Sequence, residues 1–208
     1  NGLFFEFVPL EELESPNPTR HWIGNAEPGV NYALVLSSCA GMWSYVIGDT
    51  VKFVDLDPPR ILVTGRTSYM LSAFGEHLIG EQIESAVTSG ADAINATISD
   101  YSVGSVMPEK EGELGGHLYI VEFLETDMNE ARLNTFAQTL DQKLVETNED
   151  YKAHRSGGFG LHAPKIHAVP PGTFATWMKS RGKLGGQNKV PRIINDAELF
   201  QNLRDQVK

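Results

Sequence analysis

Short apolar runs broken by turn clusters mark the first third of the chain, after which the apolar positions take up helical spacing. Residues 3–8, 31–37, 43–47, 51–55 and 61–64 are short runs rich in β-branched and aromatic side chains. They are separated by turn clusters such as Ser15-Pro16-Asn17-Pro18 and Asp57-Pro58-Pro59, so the pattern predicts strands. Beyond Gly65-Arg66, Leu78, Ile79, Ile83, Ala86 and Val87 share one face of a predicted helix that ends near Gly90. Strands are predicted at about 95–101 and 117–124.

After Asp127, Leu133, Phe136, Ala137, Leu140 and Leu144 form the apolar stripe of a longer helix, with Asp127 and Glu130 suited to its first turn. Residues 155–160 read as a flexible loop and Lys165 to Val169 as a strand. Phe174, Trp177 and Met178 are the buried stripe of a short helix closed by Gly182. A last helix begins near Asp196 and buries Leu199, Phe200 and Leu203. No internal repeat emerges. The fold class expected is α+β, β-rich up to residue 65 and mixed from 66 to 208.

Charge narrows the possible partners. A formal net charge of −10 over 208 residues argues against nucleic acid or an anionic membrane, because phosphate binding needs clustered Lys and Arg. Yet Lys179, Arg181, Lys183, Lys189 and Arg192 gather positive charge near the end of this acidic chain, which suits one small anionic ligand. Cys39 is the only cysteine, so no internal disulfide forms and a reducing cytoplasm is the default compartment. No apolar run is long enough to span a bilayer, and no charged-then-apolar leader is found. The chain opens on the strand-like Leu3 to Val8 without an initiating Met and reads as an excised piece.

Chemistry concentrates in three segments. In Trp43-Ser44-Tyr45-Val46-Ile47-Gly48-Asp49, Tyr45 and Ile47 alternate as on a strand face. Gly48 permits a tight turn that leaves Asp49 at the strand's end, a carboxylate able to accept both hydroxyls of a ribose. Gly48-Asp49 also reads as a plain hairpin turn, the commoner use of that pair. The second segment is Gly65-Arg66. The third is Gln187-Asn188-Lys189-Val190-Pro191-Arg192. His21, His117, His154, His162 and His167 show no two-ligand helical spacing, so no protein-held metal is expected. Phosphate-loop, dinucleotide-binding and nucleophile-elbow patterns are absent.

Tyr45-Val46-Ile47-Gly48-Asp49, Gly65-Arg66 with Leu71-Ser72, and Gly75-Glu76 leading into Ile83-Glu84 together resemble the adenylate-forming enzyme superfamily. Gly172-Thr173-Phe174, Ser180-Arg181-Gly182 and the stretch from Gly185 to Arg192 are similar to the auxin-responsive acyl-acid amido synthetase family. The resemblance implies that residues 1–65 are the last strands of a large adenylation domain and residues 66–208 a mobile C-terminal lid. It implies a missing N-terminal domain as partner, and a chain that alone does not catalyse.

The same resemblance implies a ligase that uses ATP, with Mg2+ carried by the nucleotide, to turn a small carboxylic acid into an acyl-adenylate and join it to an amino acid. Lys189 is the implied cation on the α-phosphate, with Lys183 the alternative because a Gly-Lys pair also matches the superfamily's terminal lysine. Asp49 is the implied ribose acceptor and Arg66 the hinge residue near ribose or phosphate. Tyr45 stands beside the nucleotide or in plain core, and Arg192 adds charge or makes a surface ion pair. His77 occupies a place where plant members often carry lysine. Two other readings stay open, an acyl-CoA ligase of the same superfamily and a non-catalytic module that binds a small anion or a protein.

Overall fold

The apolar, β-branched and aromatic runs of the first third build an antiparallel sheet in the order β1 (Leu3–Pro9), β2 (Asn31–Ser38), β3 (Tyr45–Leu56) and β4 (Pro59–Arg66). This computed structural model describes residues 2–13, 15–67, 70–108, 113–156, 160–183, 185 and 188–207. Two compact units result, Asn1–Met70 with Ile79–Glu81, and Leu71–Leu78 with Gln82–Lys208. In the first, Phe7, Tyr32 and Phe53 pack in one cluster with Val51, their three rings edge to face, Phe7 and Phe53 at 4.8 Å.

The expected strands 43–47 and 51–55 prove to be the single strand β3. Val46 pairs with Val35 and Thr50 with Ala33, so Ile47, Gly48 and Asp49 stand opposite the one residue Leu34. Gly48, at φ 91, makes this bulge possible, a conformation an L side chain resists. Asp49 therefore lies inside a strand, and neither a strand end nor a hairpin turn occurs there.

Next come β5 (Met70–Leu71), β6 (Leu78–Ile79) and the helix α1 (Gly80–Ala93). Leu78 and Ile79 are strand residues, a correction to the expected helix. Gly90 lies inside α1, because a Cβ there would stand only 3.0 Å from the Phe136 ring, so its absence serves packing and not termination.

The second unit is a three-layer stack. Its sheet runs β7 (Ile98–Val106), β8 (Gly116–Phe123), β9 (Lys165–Val169), the first pair antiparallel and the second parallel. Along β8 the side chains alternate. Tyr119, Val121 and Phe123 join α1, α2 (Glu130–Thr147) and Tyr151 of α3 (Glu149–Arg155) on one face. Ile120 joins α4 (Thr173–Ser180) and α5 (Ala197–Gln206) on the other.

Phe136, Leu140 and Leu144 of α2 are buried as their spacing predicts. Glu130 opens that helix as expected, but Asp127 lies ahead of its first turn and pairs with the Arg132 side chain, and Asn129 caps the helix, accepting from the Arg132 N–H at 3.0 Å. Helix α3 has no counterpart in the sequence pattern. Asn148 ends α2 and starts α3, its side chain accepting from the Tyr151 N–H at 2.7 Å. Residues 157–159 of the expected loop lie outside those described.

Candidate functional site

In the first unit the β3 bulge sets Asp49 in register with Arg66, the last residue of β4. Arg66 Nε donates to Asp49 Oδ1 at 3.1 Å, with the two side chains 55 % and 35 % exposed. Beside them Gly65 is paired with Thr50. The Thr64 hydroxyl donates to Asn31 Oδ1 at 2.8 Å, so Thr50 Oγ1, 2.9 Å away, must be the donor to Thr64. This hydroxyl chain ties the strands under Asp49 together. Tyr45 opens β3 and is 53 % exposed, so it is not a core aromatic within its unit.

In the second unit His77 adopts φ 42, and its Nδ1 lies 3.2 Å from Asp150 Oδ2. Next to it Glu76 is wholly buried and within hydrogen-bond reach of His117 Nε2, a pairing that spacing in the sequence does not signal. His21, His154 and His167 each have a backbone carbonyl partner, and His162 is exposed.

Lys183 follows the end of α4. Its N–H donates to the Met178 carbonyl and that of Gly182 to the Lys179 carbonyl, with Gly182 at φ 66. These are the two bonds of a Schellman motif, which explains Gly182 and leaves the Lys183 side chain exposed.

Lys189 is also exposed. Gln187, in the same motif, lies outside the described residues. Two residues after Lys189 the chain is secured. Ser102 Oγ donates to the Pro191 carbonyl, Val103 N–H to the Arg192 carbonyl and Ile194 N–H to the Val103 carbonyl. Arg192 lies over the Tyr101 ring and pairs with Glu84 at 2.7 Å. The sequence pattern predicts this strand only to about residue 101, one short of Ser102, and gives that serine no distinguishing signal.

Burial raises the Tyr101 hydroxyl to about 12 and moves Asp100 up as well. Arg192 stays a cation beside both. Of the six residues singled out from sequence, Tyr45, Asp49 and Arg66 lie in the first unit and His77, Lys183 and Lys189 in the second.

The model of the GH3 family central domain matches residues 1–66, and that of the GH3 family C-terminal domain matches residues 81–198. The chain belongs to the GH3 family. Relatives include the indole-3-acetic acid-amido synthetase GH3.3 of Arabidopsis thaliana, 23 % identical across all of this chain and 36 % of the relative. Another is the jasmonoyl-L-amino acid synthetase JAR4 of Nicotiana attenuata, 25 % identical across 94 % of this chain and 34 % of its own length. The solved structure of GH3.15 acyl acid amido synthetase superposes with a TM-score of 0.73 at 21 % identity, covering 99 % of this chain and 37 % of that one. The chain thus spans about a third of the length of these relatives.

Proposed function

We propose that this chain is the C-terminal part of an ATP-dependent acyl-acid amido synthetase that works in the cytoplasm. It would activate a small carboxylic acid as its acyl-adenylate and pass the acyl group to the amine of an amino acid. In this reading residues 1–65 complete a large adenylation domain and residues 66–208 are its lid, so the chain alone is inactive. A carboxylate resists amines because its leaving group is poor, and transfer of AMP supplies a better one.

The observation that supports the reading best is the Asp49–Arg66 pair. Arg66 engages one oxygen of a partly exposed carboxylate, which suits the two donor hydroxyls of a ribose. Lys189 supplies the cation that meets charge growing on the α-phosphate as pyrophosphate leaves, with Lys183 the alternative. Tyr45 and His77 complete the nucleotide surroundings. Mg2+ arrives on the ATP phosphates, which such small hard cations favour. Among the described residues no group of three or more His, Cys, Asp or Glu stands together as a metal site.

The test uses the full-length protein. Lys189→Ala should slow pyrophosphate release by about 10²–10³ with folding intact, the usual loss for one preorganised group on developing charge. An unchanged rate removes Lys189 from this role, and Lys183→Ala then becomes the decisive variant. Amino acids compared with coenzyme A as acceptors separate amide synthesis from thioester synthesis. ATP titrated into the 208-residue chain should bind more weakly than about 1 mM, or about −4 kcal/mol. Tight binding would instead favour a stand-alone module.

A further inference from the structure

Pro191 has no N–H, so the strand-like segment that follows Lys189 cannot begin backbone pairing there. The nearest backbone bonds start one residue later, at the Arg192 carbonyl, which accepts from the Val103 N–H at 2.8 Å. Ser102 extends this ladder toward Lys189. Its hydroxyl, on a fully buried side chain, donates to the Pro191 carbonyl at 2.7 Å. On the other side of Lys189 the described contacts are long, the Asn188 N–H and side-chain amide both donating to the Gly185 carbonyl, at 3.4 and 3.3 Å.

The link from Pro191 back to Lys189 is stiff. Proline fixes its own φ, and Val190, preceding it, is held in the extended region. Two such residues span about 7 Å with little freedom. Wherever the Pro191 carbonyl is held, the Lys189 Cα is therefore largely set. The ion pair of Arg192 with Glu84 adds less, because both of its side chains are solvent-exposed.

We infer that Ser102 is the positioning residue for Lys189: its buried hydroxyl fixes the base of a rigid Val190-Pro191 arm that presents the ammonium group. This rests on the reading of Lys189 as the adenylating cation. A displacement of about 1 Å at a reacting group is enough to cost about 10²-fold in rate. Losing one hydroxyl far from the phosphates can thus appear as a defect in chemistry.

In the full-length enzyme, Ser102→Ala should lower the kcat of pyrophosphate release by about 10–100-fold with the KM for ATP little changed. Ser102→Thr, which keeps the hydroxyl, should restore most of it. If Ser102→Ala does not fold, Ser102→Cys, of similar size and with only a weak donor, carries the same test. In a Lys189→Ala background the Ser102 substitution should cost nothing further, since both remove one effect. A further drop of the same factor would mean a merely structural role and overturn the inference. Independently of activity, amide exchange at Val103 and Ile194 should quicken in Ser102→Ala, and unchanged exchange would overturn it too. If Lys189→Ala alone leaves the rate intact, the underlying reading falls and takes this inference with it. A Lys189→Ala defect with a normal Ser102→Ala enzyme overturns only the inference.

Discussion

His117 Nε2 stands 2.8 Å from Glu76 Oε1, and the two side chains are 2 % and 0 % exposed. The Phe74 N–H donates to the other Glu76 oxygen at 2.8 Å, while the Tyr151 ring stacks near His117 with an interplanar angle of 21°. A carboxylate on the turn between β5 and β6 is thereby locked into the second unit, one residue before His77.

Burial alone would raise the Glu76 carboxyl, but the hydrogen bond from His117 and those from the backbone outweigh it and hold it below its ordinary range. A carboxylate depressed in the folded state contributes stability above its unfolded value, and that contribution is lost as pH falls through the folded one. Glu76→Gln should therefore destabilise the fold near neutrality by about 1–3 kcal/mol, the usual cost of leaving a buried hydrogen-bonding group poorly satisfied. Urea midpoints of both proteins should converge as pH drops below about 4.5. A gap that persisted undiminished to pH 3 would refute the assignment.

Glu122 points from β8 to the start of α4, where Gly172 provides no capping side chain. Its Oε1 accepts from the Gly172 N–H at 3.0 Å and its Oε2 from the Phe174 N–H at 2.9 Å. Glu122→Ala should destabilise by about 2–3 kcal/mol, above an ordinary cap because both donors lie next to a buried face. Chemical denaturation checks this, and Glu122→Gln, which retains one acceptor, should fall between.

Asp49→Ala in the full-length protein should raise the KM for ATP several-fold and barely alter the melting temperature. The pair it breaks is exposed and worth less than about 1 kcal/mol to folding. Steady-state kinetics across ATP concentrations, read beside a thermal melt, separate the two effects. An unaltered ATP dependence would remove Asp49 from ribose binding.

Elements with a strong local period were legible from sequence. Phe136, Leu140 and Leu144 mark α2, Phe174, Trp177 and Met178 mark α4, and Asp196 caps α5, accepting from the Leu199 N–H. Short or doubly buried pieces were not. Leu78 and Ile79 fit a helical face and a two-residue strand equally, and α3 is too short to show a stripe. Asn148 serves two helices at once, which a search for one start and one stop does not reveal.

Sequence by itself determined the α+β class, the family and the residues that bear candidate chemistry, because periodicity and short motifs are local properties of the chain. Only tertiary structure decided that Gly48 makes a bulge and not a turn, that Asp49 meets Arg66, that Glu76 is buried on His117, and that Ser102 holds Pro191. Each of those pairings joins residues 17 to 89 positions apart, or rests on the register of a neighbouring strand. The partner of a polar side chain across such a distance is chosen by packing, which no local pattern encodes.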